Sequence, residues 1–243
     1  MEAPDAYRTT LYDKVCVVDI ETMPIEGHKE ALEPFMENLK TRSKVDPLKV
    51  AEELKDKKEA YYSKAALSPV AGRVVCIVVK EMHLPAIGVS QALEPKIVVF
   101  ANADERVMLD SFAKYAEAKQ WWVTYNGRNF DFPFLTFRAA HHGINLKLPM
   151  YYKNTFDGHF DLAQFLFDIS LMDNLDSTRK YIKLESWNRY FGLPTKSMDA
   201  RDIPKAVAEG RLQEVVDYCI GDVENTAAIF MKYHNLFERS FRR

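Results

Sequence analysis

The stretch KVCVVDIETMP, Lys14 to Pro24, decides how the rest of the chain is read. Five of the six residues from Val15 to Ile20 are apolar, as in a strand buried on both faces. The same stretch nevertheless carries Asp19 and Glu21. Side chains alternate along a strand, so the two acids share one side of the backbone with β-carbons roughly 7 Å apart. An ionised carboxylate away from water is costly unless cations, hydrogen bonds or open solvent are supplied there. Divalent metal is one answer, and a plain strand end at the surface is another. Asp-x-Glu alone does not choose between them. Asp222 and Glu224 repeat it in a helical pattern, where positions i and i+2 do not face each other.

Working outward, 243 residues with 47% hydrophobic and 12% aromatic content suffice for one well-buried core, and one domain over 1–243 is expected. The 33 basic and 35 acidic residues, a net charge of −2, argue against a protein that coats nucleic acid through bulk charge. Recognition of a chain end through a few contacts stays open. Cys16, Cys76 and Cys219 lie in apolar stretches without zinc-type spacing, and an odd number closes no disulfide framework, which fits a reducing compartment. The first ten residues, MEAPDAYRTT, lack the apolar core of a signal peptide, and the run VVCIVV is too short to span a bilayer. An intracellular, cytoplasmic protein without a membrane partner is therefore expected.

After the first strand, about 25–67 turns rich in Lys and Glu, as in KVAEELKDKKEAYYSKAAL, which predicts one or two surface helices inserted after strand one. Strand signals return in RVVCIVVKEM and PKIVVFA, followed by an amphipathic helix around Asp104 to Lys119. WWVTYNG then reads as a strand ending in an Asn-Gly turn. DFPFLTFRAAHHG reads as a helix with Asp131 as N-cap, Pro133 in its first turn and Gly143 at its stop. HFDLAQFLF follows, then a helix through YIKLESWNRYFG stopped by Gly192 and Pro194, and a long helix from about Leu212 to Phe237. Three strands in succession, then helix, strand and helix, predict an α/β domain with a mixed sheet and the acids of strand one near its centre.

The last helix contains the only Tyr-x3-Asp of the chain, Tyr218 and Asp222, which share a helical face. The competing reading is an amphipathic helix whose Tyr tops the core and whose Asp meets water. Asp131, in YNGRNFDFP, has helix capping as its competing role, though capping and metal coordination are compatible.

In order along the chain, DIET, YNGRNFDFP and YCIGD resemble the three exonuclease motifs of the DEDDy superfamily. The resemblance is to the 3'-5' proofreading exonuclease domain of family B DNA polymerases and its stand-alone relatives. It runs from Val15 to about Phe230, with only pattern matching between the motifs, and KLESWNRYFGLPTK resembles the helix and Gly-Leu turn that precede the third motif. The related DEDDh group has His five residues before its last Asp, where this chain has Asp217. The charged insertion departs from the minimal nuclease.

The resemblance implies a ribonuclease H-like, mixed five-stranded sheet flanked by helices. It also implies a metal-dependent 3'-5' exonuclease that releases nucleoside 5'-monophosphates from single-stranded DNA. RNA trimming is an alternative, since nothing in the sequence identifies a contact to the 2'-hydroxyl. A non-catalytic nucleic-acid-binding module is another. Two ions are implied, and hard oxygen ligands suit Mg²⁺ or Mn²⁺. Asp19 would bridge both, Glu21 and Asp222 would hold the ion at the attacking water, and Asp131 would support the second. Tyr218 would orient that water by hydrogen bonding, being a poor base at neutral pH. Thr22, Asn126, Phe130, Lys183 and Lys196 are the candidates for holding nucleic acid. Phe130 is expected to stack on a base unless it is an ordinary core aromatic. The basic run Arg179, Lys180 and Lys183, with Tyr181 beside it, is expected at the phosphate backbone unless it is solvated surface. Asp161 is expected either to support the site or to cap a strand end. Expected partners are single-stranded 3' ends, DNA favoured, with replication or repair proteins as further candidates.

Overall fold

A computed structural model of the chain describes residues 14–42, 46–84, 94–119, 121–149, 158–170 and 182–237. Strand β1 is Lys14–Pro24, followed by helices α1, His28–Met36, and α2, Pro47–Tyr62. Strands β2, Gly72–His83, and β3, Lys96–Ala101, precede α3, Glu105–Ala116, and β4, Trp122–Thr124. Then come α4, Asp131–His141, β5, His159–Asp161, and α5, Leu162–Ile169. The chain continues through α6, Leu184–Phe191, α7, Ile203–Ala208, and α8, Leu212–Phe237.

The strands form one mixed five-stranded sheet in the order β3-β2-β1-β4-β5. β1 lies at its centre, antiparallel to β2 and parallel to β4. This explains its nearly continuous apolar run, because both of its faces are covered. Val15 and Val17 pack with Val215, Cys219 and Val223 of α8. Cys16, Val18 and Ile20 pack on the other side with Leu109 and Phe112 of α3 and Phe132 and Leu135 of α4. Asp19 and Glu21 have the parity of Val15 and Val17, so they fall on the α8 side. Their β2 partners are Val78 and Cys76, and the register shifts between Glu21 and Thr22. That β-bulge breaks the register just past the acids, and pairing resumes from Thr22 opposite Val74 to Pro24 opposite Gly72.

Helix α8 buries Val215, Cys219, Val223, Ala227 and Phe230, a recurrence of three to four residues that lays one stripe on the sheet. The helices between β1 and β2 carry the expected charged segment. α2 buries none of its residues, and the pair is held by Leu32 and Met36 packing near Ala65 and Ala71, with Lys58 bonded to Glu33 at 2.7 Å. Gly143 and Gly192 take φ +70° and +67° just past α4 and α6, the left-handed geometry that stops a helix. Arg179, Lys180 and Tyr181 lie outside the described residues. Among the described residues no helix is long and apolar enough to cross a membrane.

One local reading is corrected. Asp131 is not the N-cap of its helix: Phe130 holds that position without a side-chain bond, and Asp131 is the first helical residue. Its carboxylate is turned instead to β1, where Oδ1 accepts the backbone N–H of Ile20 at 3.2 Å.

Candidate active site

Three elements converge at the end of β1. The strand presents Asp19 and Glu21, the first turn of α4 presents Asp131, and α8 presents Tyr218, Cys219 and Asp222. On a helix, Asp222 neighbours both Tyr218, at i+4, and Cys219, at i+3. Glu21, Asp131, Tyr218 and Asp222 are all buried, at 8%, 3%, 3% and 7% exposure. One ligand atom each from Asp19, Glu21 and Cys219 lie within 4.8 Å of one another, and the Cys219 thiol donates to Asp19 Oδ2 at 3.5 Å.

Such crowding opposes ionisation. Burial pushes Asp19 well above the usual carboxylate range, with Asp131, Glu21 and Asp222 adding repulsion and Lys196 opposing it. Glu21 is likewise held well above that range, first by burial and then by Cys76 and Asp222. Asp131 rises to about 7 through burial and the nearby Asp161, while its own N–H and, less strongly, that of Ile20 restrain the shift.

A cation already reaches this cluster. Lys196 Nζ lies 2.8 Å from Asp222 Oδ2, donates to the Tyr218 hydroxyl, and sits 4.7 Å from the centre of the Tyr218 ring. Burial alone would lower the Lys196 pKa, but Asp222 and Tyr218 outweigh it and the net shift is upward. The segment carrying Lys196 is anchored to α8 by Asn225, whose Nδ2 donates to Pro194 O at 3.0 Å. Burial also raises the Tyr218 hydroxyl above its ordinary pKa, so it stays a neutral phenol. Its oxygen accepts from Lys196, which leaves its own proton for another acceptor.

The loop between β4 and α4 is built from the outside. Asp161 Oδ1 and Oδ2 accept the N–H groups of Asn126 and Arg128 at 2.9 and 3.0 Å. The same carboxylate caps α5 through Ala163 N–H at 3.0 Å. Asp161 thus acts both as a cap and as the clamp of the loop beside Asp131. Gly127 has no alternative at its position, because a β-carbon there would fall 2.4 Å from Thr124 Cβ. Asn126 takes φ +63° and bonds Asn129 through its side chain at 2.9 Å.

Among the residues expected to hold nucleic acid, Asn126 and Phe130 are half-buried on this loop, and Phe130 packs 5.5 Å from Phe134. Lys183 is exposed at the head of α6, next to Ile182, whose carbonyl accepts from Tyr125 of the loop. Lys196 is drawn into the carboxylates. Thr22 does not join the group: it is 7% exposed, beyond the bulge, and its hydroxyl donates to Ala66 O at 2.7 Å. Cys219, expected only as a thiol in an apolar stretch, and Asn225 were not among the expected site residues. The signal available for Cys219 was its i+3 spacing to Asp222.

The donor set fits a hard divalent cation. Ligand atoms of two carboxylates, Asp19 and Glu21, lie within 4.8 Å of each other, and the repulsion that Asp131 and Asp222 add at Asp19 is what a dication would relieve.

The fold is shared with a solved family B DNA polymerase from the hyperthermophilic archaeon Pyrobaculum calidifontis, with a TM-score of 0.51 and 17% identity over 91% of this chain and 24% of that one. In sequence, the chain is 26% identical over 157 residues to the catalytic polypeptide of DNA polymerase epsilon from Schizosaccharomyces pombe, covering 60% of this chain and 7% of that polypeptide. The chain therefore spans only a small part of either relative. Residues 68–241 match the family described as "Predicted 3'-5' exonuclease related to the exonuclease domain of PolB". The chain belongs to that family of predicted 3'-5' exonucleases. The matched span takes in Asp131, Lys196, Tyr218 and Asp222, while Asp19 and Glu21 lie before it and enter the site through β1.

Proposed function

We propose that the chain, as one exonuclease domain over 1–243 with a helical insertion at about 25–67, hydrolyses the 3'-terminal phosphodiester of single-stranded DNA. The observation that carries this reading is that, beyond burial, Glu21, Asp131 and Asp222, from three elements, crowd Asp19 closely enough to raise its pKa, with Lys196 bonded to Asp222 and Tyr218 beside them. DNA is the favoured substrate because both relatives are DNA polymerases by name. Proteins of DNA replication or repair are the partners this implies, and the place of action is intracellular.

Asp19, Glu21, Asp131 and Asp222 would hold two Mg²⁺ or Mn²⁺ ions. Such ions, when bound, acidify a water and stabilise charge on the attacking and leaving oxygens. In the hydrolysis the water oxygen forms a bond to phosphorus, the P–O3' bond breaks, and the 3' oxygen leaves with a proton. The released nucleotide carries its 5'-phosphate. Tyr218, kept neutral and accepting from Lys196, donates a hydrogen bond to the water and fixes its direction of approach. Lys196, charged beside Asp222, meets a phosphate oxygen and offsets the charge brought by the substrate. Asn126 hydrogen-bonds the terminal nucleotide, Phe130 stacks on a base, and Lys183 meets the backbone further along the strand. Thr22 supports β1 from behind through Ala66.

The test uses matched single-stranded DNA and RNA oligonucleotides labelled at the 5' end, with Mg²⁺, Mn²⁺ or EDTA, comparing wild type with Asp19→Ala. A metal-dependent ladder of shortened labelled DNA, lost in the variant, is expected. A ladder on RNA alone would reassign the substrate, and no ladder on either strand would leave a binding module.

A further inference from the structure

The thiol of Cys219 has no part in the reaction above, yet it is aimed at the carboxylates. We infer that Cys219, Asp19 and Glu21 form a site for a thiophilic divalent cation of the Zn²⁺ class, which competes with the hard ions for the same two acids. The inference deepens the proposed function and rests on it in one respect, that Asp19 and Glu21 are open to a cation.

The geometry is close to what such an ion needs. A tetrahedral zinc with one Zn–S of about 2.3 Å and Zn–O of about 2.0 Å has ligand atoms roughly 3.3–3.5 Å apart. The three atoms here lie within 4.8 Å of one another, and Cys219 Sγ and Asp19 Oδ2 are already 3.5 Å apart. A contraction of about 1.5 Å at most completes the set, and side-chain rotation can supply it. The supports are rigid, since Asp19 and Glu21 stand on the central strand and Cys219 is fully buried in a long helix packed across it.

Sulfur distinguishes this site from an oxygen cage. Thiolate ligands favour Zn²⁺ and its neighbours, whereas Mg²⁺ accepts only hard oxygen. On binding, the metal–sulfur bond replaces the S–H bond and the proton leaves to solvent, with no change of oxidation state. Cys16 is no candidate, because its Sγ lies on the opposite face of the sheet against the Tyr115 hydroxyl at 3.9 Å.

The test titrates EDTA-treated full-length chain with Co²⁺ and reads the near-ultraviolet sulfur-to-cobalt charge-transfer band, with calorimetry for stoichiometry. Wild type should develop the band at one Co²⁺ per chain and lose it when one equivalent of Zn²⁺ is added. Cys219→Ser should lack the band and Cys16→Ser should keep it. Should Cys219→Ser fail to fold, cadmium NMR on wild type reports sulfur coordination without any variant. Co²⁺ that binds by calorimetry but gives no charge-transfer band overturns the inference and leaves the carboxylate metal site standing. Failure of Co²⁺ to bind at all overturns both. A band that survives Cys219→Ser places the sulfur elsewhere and also overturns it.

Discussion

Oδ1 of Asp131 accepts the backbone N–H of Ile20 at 3.2 Å, which ties the first turn of α4 to the residue between Asp19 and Glu21. The bond makes Asp131 both a spacer for the strand and a carboxylate of the site, and isosteric substitution separates the two. Asp131→Asn keeps an acceptor for Ile20 and removes a crowded acid, so its melting temperature at pH 8 should equal or exceed that of wild type. Asp131→Ala strands the buried N–H and should lose about 1–3 kcal/mol. Both should reduce nuclease activity by ~10²-fold or more, since even partners behind a metal ligand cost 10- to 100-fold. Thermal melts and initial rates on labelled DNA check this, and an active Asp131→Asn would remove Asp131 from the reaction.

Tyr218 is expected to matter less than the acids. Tyr218→Phe keeps the packed ring and loses only the hydroxyl that meets Lys196, and a fall of roughly 10- to 100-fold in kcat is expected, as for other groups that orient a metal site. Asp19→Ala and Asp222→Ala should each fall further. Equal losses in single-turnover assays would mean that the hydroxyl does more than orient.

Lys196 offsets the charge of Asp222. With its side chain 31% exposed, Lys196→Met should destabilise metal-free protein by about 1–3 kcal/mol, less than a fully buried pair would lose. Its raised pKa means that this contribution is complete below about 10.5, the ordinary lysine value, and so is present at neutral pH. Excess Mg²⁺ should restore part of the lost stability. Chemical denaturation at pH 7.5 with and without Mg²⁺ reads both.

The metal-free protein should weaken as pH rises from acid to neutral. The acids at Asp19, Glu21 and Asp131 have folded pKa values above their unfolded ones, so the folded state holds the extra protons. Their folded forms are fully favoured below the unfolded pKa near 4. Stability is then lost through that range and up to the folded values, about 7 for Asp131. Mg²⁺ should therefore raise the melting temperature more at pH 8 than at pH 5.5. At one hundred times its Kd a ligand adds about 2.7 kcal/mol. Identical melts with and without Mg²⁺ at pH 8 would contradict this account.

Glu105 supplies an opposite case away from the site. It accepts from Arg138, from Val74 N–H at 2.8 Å and from His142 at 2.9 Å. These partners overcome its burial and hold it below the usual carboxylate range. Its stabilisation is present above pH ~4.5, the unfolded value, and is lost as pH falls through the folded value. Glu105→Gln leaves Arg138 buried and unpaired, at a cost of about 3–5 kcal/mol measured by denaturant titration.

Much of this arrangement was legible in the chain because its signals are local. The apolar run of β1 marked a strand covered on both faces, and Tyr218 with Asp222 marked one face of a helix. The family resemblance placed Asp19, Glu21 and Asp131 beside them. What stayed hidden depends on distant segments meeting. The capping reading of Asp131 failed because the helix starts at Asp131 itself and its carboxylate reaches the N–H of Ile20, more than one hundred residues earlier. The depth of Lys196 follows from Asn225 holding Pro194 against α8. Cys219 looked like an apolar filler because nothing near it in sequence shows that Asp19 lies across from its sulfur. Thr22 continued a motif, but the bulge and the 3-10 turn at Ala65–Leu67 took its hydroxyl.

The segment between β1 and β2 leaves and rejoins the sheet at adjacent points, because Pro24 is paired with Gly72 and Ile25 N–H bonds Ala71 O at 2.9 Å. Topologically β1 and β2 remain a hairpin, however long the excursion between them. Each doubling of a loop costs only about 0.6 kcal/mol in closure entropy, so lengthening is thermodynamically mild. The β1–β2 junction is thus a grafting point, where α1 and α2 can be exchanged for a short turn or for another module while the strand that carries the acids keeps its register.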